Sequence, residues 1–290
     1  MIVSASYRTD IPAFFAAWFL NRLAAGEAWV ANPYGGRPYR VSLAPADVDG
    51  FVFWTRNLAP FAEGLAAVEG LGLPHIVQYT VTGYPQALEA GVPPAAHAIG
   101  QIRSLAGRRG PAAAVWRYDP ILLTSLTPPA WHRENFARLA GGLAGAVNEV
   151  TVSFATIYRK TARNLTAAAG PHGFAWHDPP DDEKRALLAE LAGIAADHGL
   201  RLTVCSQPAL EQPGVEGAAC IDGDRLSRVA GYAIRARQKG NRPGCLCAES
   251  RDIGAYDTCA HGCAYCYAVT NHDRARQAVR GHDPQAVQLA

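Results

Sequence analysis

Ile76-Val-Gln-Tyr-Thr-Val-Thr82, closed by Gly83-Tyr84, decides how the chain is read. β-Branched and aromatic residues fill it, the character of a strand covered on both faces. Working outward, similar short apolar runs recur at residues 2–6, 29–32, 51–55, 113–117, 150–154 and 200–205. Helix signals lie between them. Asp10 is placed to cap a helix that opens with Pro12, runs through Phe14, Phe15, Trp18, Phe19 and Leu23, and stops at Gly26. A side-chain acceptor, an early proline and a terminal glycine are the expected punctuation. Residues 93–105, 129–143 and 181–198 have the same helical character. Strand–helix alternation implies βα units and a parallel sheet. The expected class is α/β: a (β/α) barrel-like parallel sheet, complete or incomplete, with a doubly wound open sheet as the alternative. Residues 169–180 read as a long loop. From Cys205 the pattern becomes irregular and rich in Gly, Pro and Cys. Residues 1–204 are expected to form the core, and 205–290 a cysteine-rich metal-binding cap packed on it as part of one globular unit.

A chain of 290 residues with 49% hydrophobic and 18% charged residues can bury a large core and is globular. A net charge of +2 demands no particular partner and does not exclude nucleic acid. The apolar stretch 11–30 is interrupted by Asn21, Arg22 and Glu27, so no membrane span is expected. The N-terminus lacks the pattern of a secretory signal. Seven cysteines, an odd number, without an export signal argue against a disulfide framework and for a cytoplasmic protein.

The cysteines carry the clearest chemistry. Cys259-Ala-His-Gly-Cys263-Ala-Tyr-Cys266 places three thiols at C-x3-C-x2-C spacing, with Tyr265 before the third. A cubane iron–sulfur cluster takes one thiolate per iron, so three thiolates leave one iron open to a substrate or cofactor. Zinc sites usually pair two C-x2-C hooks or mix cysteine with histidine; here His261 or Cys247 could complete such a set. All seven cysteines lie between 205 and 266, and Cys205, Cys220, Cys245 and Cys247 remain. Four is the number a second, fully ligated cluster needs. Cys205 reads equally well as a small buried hydrophobe. Cys245-Leu-Cys247, after Pro243-Gly244, reads as a metal-binding loop, and either thiol could instead close the open iron of the first cluster.

Polar residues cluster at the strand ends. In parallel α/β folds those ends form the functional rim. Arg8, Asp10, Arg56, Arg117 and Asp119 are the candidate catalytic residues, and Asn32 (in Asn32-Pro33), Thr80 and Thr82 candidate cofactor contacts. Arg8, Arg56 and Arg117 would converge on one mouth, where guanidinium groups bind carboxylate or phosphate. The plainer readings are caps for Asp10 and Asp119, and ion pairs Arg8–Asp10 and Arg117–Asp119. Asp252, between the two cysteine groups, either orients the cluster loop through backbone amides or caps a turn.

The Cys259–Cys266 loop resembles the cluster loop of the radical S-adenosylmethionine (SAM) enzymes. That resemblance implies a [4Fe-4S] cluster, one or two in all, and SAM as a further cofactor, with Tyr265 matching the aromatic that contacts adenine. It implies reductive cleavage of SAM to start hydrogen abstraction from an unknown substrate, a small molecule or otherwise, fed by an electron donor. In most such enzymes the loop follows the first barrel strand. Here it lies about two dozen residues from the C-terminus, so either the barrel is permuted or the tail folds back over the rim. The usual Gly-Gly-Glu stretch is replaced by Gly35-Gly36-Arg37. Along its length the chain is similar to a bacterial family catalogued as domain of unknown function 1848. The landmarks are Ser6-Tyr-Arg-Thr-Asp-Ile-Pro12, Asn32-Pro33, Phe53-Trp-Thr-Arg-Asn57, Thr80-Val-Thr-Gly-Tyr84, Trp116-Arg-Tyr-Asp-Pro120, Cys220-Ile-Asp222, and Cys245-Leu-Cys247 through Tyr267-Ala268. Two other functions remain open: an iron–sulfur protein with a redox or Lewis-acid role and no SAM, or a binding protein stapled by zinc or a cluster.

Overall fold

The computed structural model describes residues 1–32 and 35–290. The chain opens with β1 (Ile2–Ala5), α1 (Ile11–Phe14), α2 (Ala16–Ala25), β2 (Glu27–Val30), β3 (Tyr39–Ser42) and β4 (Gly50–Thr55). It continues with α3 (Ala62–Gly70), β5 (His75–Thr80), α4 (Ala95–Arg109), β6 (Ala114–Ile121), β7 (Leu123–Thr124), α5 (Pro129–Leu143) and β8 (Glu149–Phe154). The remainder is α6 (Arg159–His172), β9 (Trp176–His177), α7 (Asp181–Asp197), β10 (Arg201–Val204), β11 (Glu216–Gly217), α8 (Gly223–Ala230), β12 (Ser250–Asp252) and α9 (His272–Arg280).

Eight strands form one sheet in the order β11-β10-β8-β6-β5-β4-β1-β12, and every pair in it is parallel. The sheet is mixed with helices as expected, but it is not closed into a barrel. The reason lies at its edges. Closure would require β1 to pair with β10; instead β12 takes the free edge of β1, and β11 that of β10. Both edge strands come from the cysteine-bearing tail.

Strand periodicity sorts two buried faces. Val3, Phe51, Phe53, Val77, Tyr79, Trp116, Tyr118, Val150, Val152, Leu202 and Val204 face the main core with the helices. Ile2, Val52 and Ile76 face the other way, into a second cluster with Ile221, Leu226, Ile234 and the tail cysteines. That second face also carries buried polar groups: Gln78, Arg117, Glu149, Thr151 and Thr203. Arg225 of α8 reaches it, placing Nη2 2.5 Å from Glu149 Oε2 and Nη1 2.9 Å from Asn148 Oδ1.

Three expectations are corrected. The helix expected through Gly26 is broken at Phe15, whose φ of −131° separates α1 from α2. The run 29–32 does not belong to the parallel sheet: β2 pairs antiparallel with β3, Trp29 opposite Arg40. Local hairpin pairing competes with the sheet here, and Asn32 sits exposed just beyond that hairpin strand. Pro33 lies outside the described residues. The loop expected at 169–180 is partly helix, because α6 accommodates Pro171 in its last turn and ends only at Gly173, whose φ of 64° suits glycine. Among the described residues no helix is long and apolar enough to cross a membrane.

Burial alone would raise the Glu149 carboxyl, but Arg225 and Arg201 outweigh it and hold the group below its ordinary value. A depressed carboxyl stabilises above its unfolded value, about 4.3, and that contribution is lost as pH falls through the lower folded value. Glu149→Ala would strand Arg225, 2% exposed, and is expected to cost about 3–5 kcal/mol. Urea unfolding at pH 7 reads this; a midpoint equal to wild type would contradict it.

Candidate thiol-rich site at the strand ends

The tail reaches the rim because one carboxylate ties it there. Pairing of β12 with β1 sets Asp252 opposite Ser4. Asp252 then accepts from Ser4 Oγ (2.8 Å), Ser6 Oγ (2.7 Å), Tyr7 N (3.0 Å), Gly254 N (2.9 Å) and Arg8 Nε (2.9 Å). Position 254 must be glycine for this approach: a Cβ would stand 2.0 Å from Ser6 Oγ. Arg8 therefore pairs with Asp252, where sequence offered Asp10 as its partner.

Beyond that clamp, the Cys259–Cys266 loop lies over the ends of β1, β4 and β5. Its backbone pairs with the segment after β5, through Gly91 N to His261 O (2.8 Å) and Ala264 N to Leu88 O (2.9 Å). His261 Nε2 lies 2.8 Å from Asp10 Oδ2. Asp10 also accepts from Ala13 N (2.9 Å), capping α1, and from Arg56 N (2.8 Å). Arg56, just past β4, donates to Tyr265 Oη at 2.7 Å and pairs with Glu89 at 2.9 Å. Thr82 Oγ1 donates to Glu89 at 2.5 Å, and the Tyr265 hydroxyl donates to the same carboxylate. Thr80 is half-buried at the tip of β5.

The thiols of this loop are electrostatically joined. Burial pushes Cys263 up to about 12, opposed by Arg56. Burial likewise raises Cys259, together with Asp10, Cys266 and Cys263. Cys266 is raised by burial, against backbone donors at Ala268 and Val269 and the charges of Arg56 and Lys160. Arg56 stays protonated despite burial, held so by Glu89, Tyr265, Cys263 and Cys259.

The other four cysteines gather on the second face of the sheet, beside Arg117. Cys205, Cys220 and Cys247 share one buried cluster, with Cys245 packed against it. Cys220 Sγ lies 3.3 Å from Cys205 Sγ and 2.9 Å from Arg117 Nη1. Arg117 pairs with Asp119, donates to Gln78 Oε1 at 3.2 Å, and lies 5.0 Å from the Trp54 ring centroid. Ser153 also donates to Asp119. Each of the three strand-end arginines thus has its own carboxylate: Asp252, Glu89 or Asp119.

Among the described residues, no three His, Cys, Asp or Glu side chains already stand at metal-binding geometry. The donor chemistry nevertheless suits a thiophilic centre. Three mutually sensing thiols lie near a protonated arginine that opposes the effect of burial at Cys263 and Cys266. Sequence reading had no grip on Glu89; its one signal is that it is the sole acidic residue between Gly83 and Ala95.

The class so defined is an α/β protein with two cysteine groups gathered about the C-terminal ends of parallel strands. The family model described as "Domain of unknown function (DUF1848)" matches residues 2–268, and the chain belongs to that family. No curated protein matches it.

Two outcomes follow from this geometry. Glu89→Gln removes the counter-charge of buried Arg56 and is expected to destabilise by about 3–5 kcal/mol; thermal melting no lower than wild type would contradict it. In metal-free protein, the bond from Cys247 holds the Cys245 thiol down at about 5. Iodoacetamide at pH 7 should therefore label Cys245 before the buried Cys263, as read by peptide mapping. The reverse order would refute the assignment.

Proposed function

We propose that this protein is a cytoplasmic iron–sulfur enzyme of the radical-SAM kind. Cys259, Cys263 and Cys266 would hold a [4Fe-4S] cluster, and SAM would be cleaved reductively to start hydrogen abstraction from a small-molecule substrate. One observation carries the reading: a C-x3-C-x2-C loop near the chain's end returns to the C-terminal ends of β1, β4 and β5, where parallel α/β proteins build active sites. When bound, such a cluster supplies one electron, taken from a partner donor, to the sulfonium of SAM.

The chain's own residues hold this arrangement. Asp10 joins α1, Arg56 and His261, fixing the near side of the loop against β1. Glu89 gathers Arg56, Thr82 and Tyr265, fixing the far side against β5. Arg56 opposes protonation of Cys263 and Cys266. Because Arg8, Arg56 and Arg117 already carry carboxylate partners, they are positioning residues in this reading. Burial of the loop's Cys263, Ala264 and Tyr265 keeps water from its inner side.

Anaerobic purification, iron and sulfide counting, and EPR of the reduced protein test the proposal. About four irons and four sulfides per chain are expected at this site, lost in Cys259→Ala. SAM should perturb the EPR spectrum and yield 5′-deoxyadenosine. Iron present but indifferent to SAM would replace this reading with a cluster that relays electrons or acts as a Lewis acid. No iron at all would remove it.

A further inference from the structure

The four cysteines outside the loop are not dispersed core residues. They come from three separated segments: the end of β10 (Cys205), the turn before α8 (Cys220), and the strand-like return that carries Cys245 and Cys247. Between the last two, Leu246 is 41% exposed while Cys247 is 4% exposed, so the main chain turns both flanking sulfurs inward. Cys220 Sγ lies 3.3 Å from Cys205 Sγ, and Cys247 is electrostatically coupled to both Cys220 and Cys245.

Three of these sulfurs also receive an N–H: Arg117 Nη1 lies 2.9 Å from Cys220, Arg242 Nη2 3.6 Å from Cys205, and Ile221 N 3.3 Å from Cys247. N–H groups aimed at sulfur stabilise thiolate, and outer-shell donors of this kind orient and tune ligands. Two of the donors are guanidinium groups, which offset negative charge. A buried set of neutral thiols has no need of that.

We propose that Cys205, Cys220, Cys245 and Cys247 bind a single zinc ion, with Arg117 and Arg242 as its charge-compensating outer shell. Spacing distinguishes one ion from a second cubane. Zinc–thiolate bonds of about 2.3 Å in a tetrahedron put sulfurs about 3.8 Å apart. The 3.3 Å contact between Cys205 and Cys220 is of that order, whereas a cubane sets each thiolate on a different iron, further from its neighbours. The four thiols become a tetrahedron when zinc replaces their protons. Zn²⁺ plus four thiols gives a tetrathiolate of charge −2 and up to four released protons. Its role is to staple the tail segments to β10 and to the second face of the sheet. This stands apart from the radical-SAM reading, since it uses none of that loop's ligands.

The test is metal analysis of the full chain, expressed with zinc and iron both supplied and purified anaerobically. About one zinc per chain is expected, unaffected by Cys259→Ala. In Cys220→Ser/Cys247→Ser it should fall below a tenth. Because the double variant is prone to unfold, the wild type provides a second readout: zinc-edge X-ray absorption should give four sulfurs at about 2.3 Å. Four irons with one zinc would support both proposals, and zinc without iron would support this one alone. About eight irons without zinc, zinc retained in the double variant, or nitrogen and oxygen ligation would each overturn it.

Discussion

The carboxylate of Asp252 is the point on which the tail depends. It accepts from two serine hydroxyls, two backbone amides and the Arg8 guanidinium. A buried carboxylate stabilises only when its acceptor sites are filled and its charge is matched, and here both conditions hold. Arg8 Nη2 adds a bond to the Asp252 carbonyl at 3.0 Å. The clamp joins residues nearly the whole chain apart, and it fixes the register of β12 on β1. The Cys259–Cys266 loop follows soon after, so the clamp brings it to the strand ends, where Asp10, Glu89 and the backbone after β5 hold it.

The same tail solves a problem that the sheet creates. A parallel sheet with one face against helices needs cover on its other face and protection at both edges. β11 and β12 occupy the edges, and α8 with the cysteine-bearing segments covers the second face. The cover is not purely apolar. Arg225 enters it and meets Glu149, which Arg201 also contacts at 2.9 Å. Removing the tail would expose that ion network as well as Ile2, Val52 and Ile76.

Much of the frame was legible from local pattern. The run around Ile76 is β5 of the parallel sheet, and the helix expected over 129–143 is α5, because continuous apolar character and punctuating prolines are local signals. Strand partners were less legible. Trp29 belongs to a strand, but nothing near it says that Arg40, eleven residues on, pairs with it across a hairpin. Ion-pair partners were legible in one case, Arg117 with Asp119, and not in the others. Arg8 sits two residues from Asp10 yet pairs with Asp252, and Arg56 takes Glu89 from a loop. Such choices are made by the topology, which brings distant carboxylates closer than near ones.

The buried arginines make sense together with the thiols. Arg117 could be neutral overall with Asp119 alone, yet its guanidinium also donates to Cys220, and among the influences that oppose its burial Cys220 comes first, followed by Asp119 and Cys205. Arg242 likewise stays charged against burial, through Cys205 before Asp119. Arg56 answers to Glu89 and Tyr265, then to Cys263 and Cys259. A guanidinium taken from water is costly unless negative charge meets it. One carboxylate pairs with each of Arg56 and Arg117; Arg56 also donates to Thr82 Oγ1 and Tyr265 Oη, and Arg117 to Gln78 Oε1 and the sulfur of Cys220. Neutral thiols are weak acceptors, whereas thiolates are strong ones. Arg117 and Arg242 thus each bring a guanidinium to a sulfur of the second cysteine group.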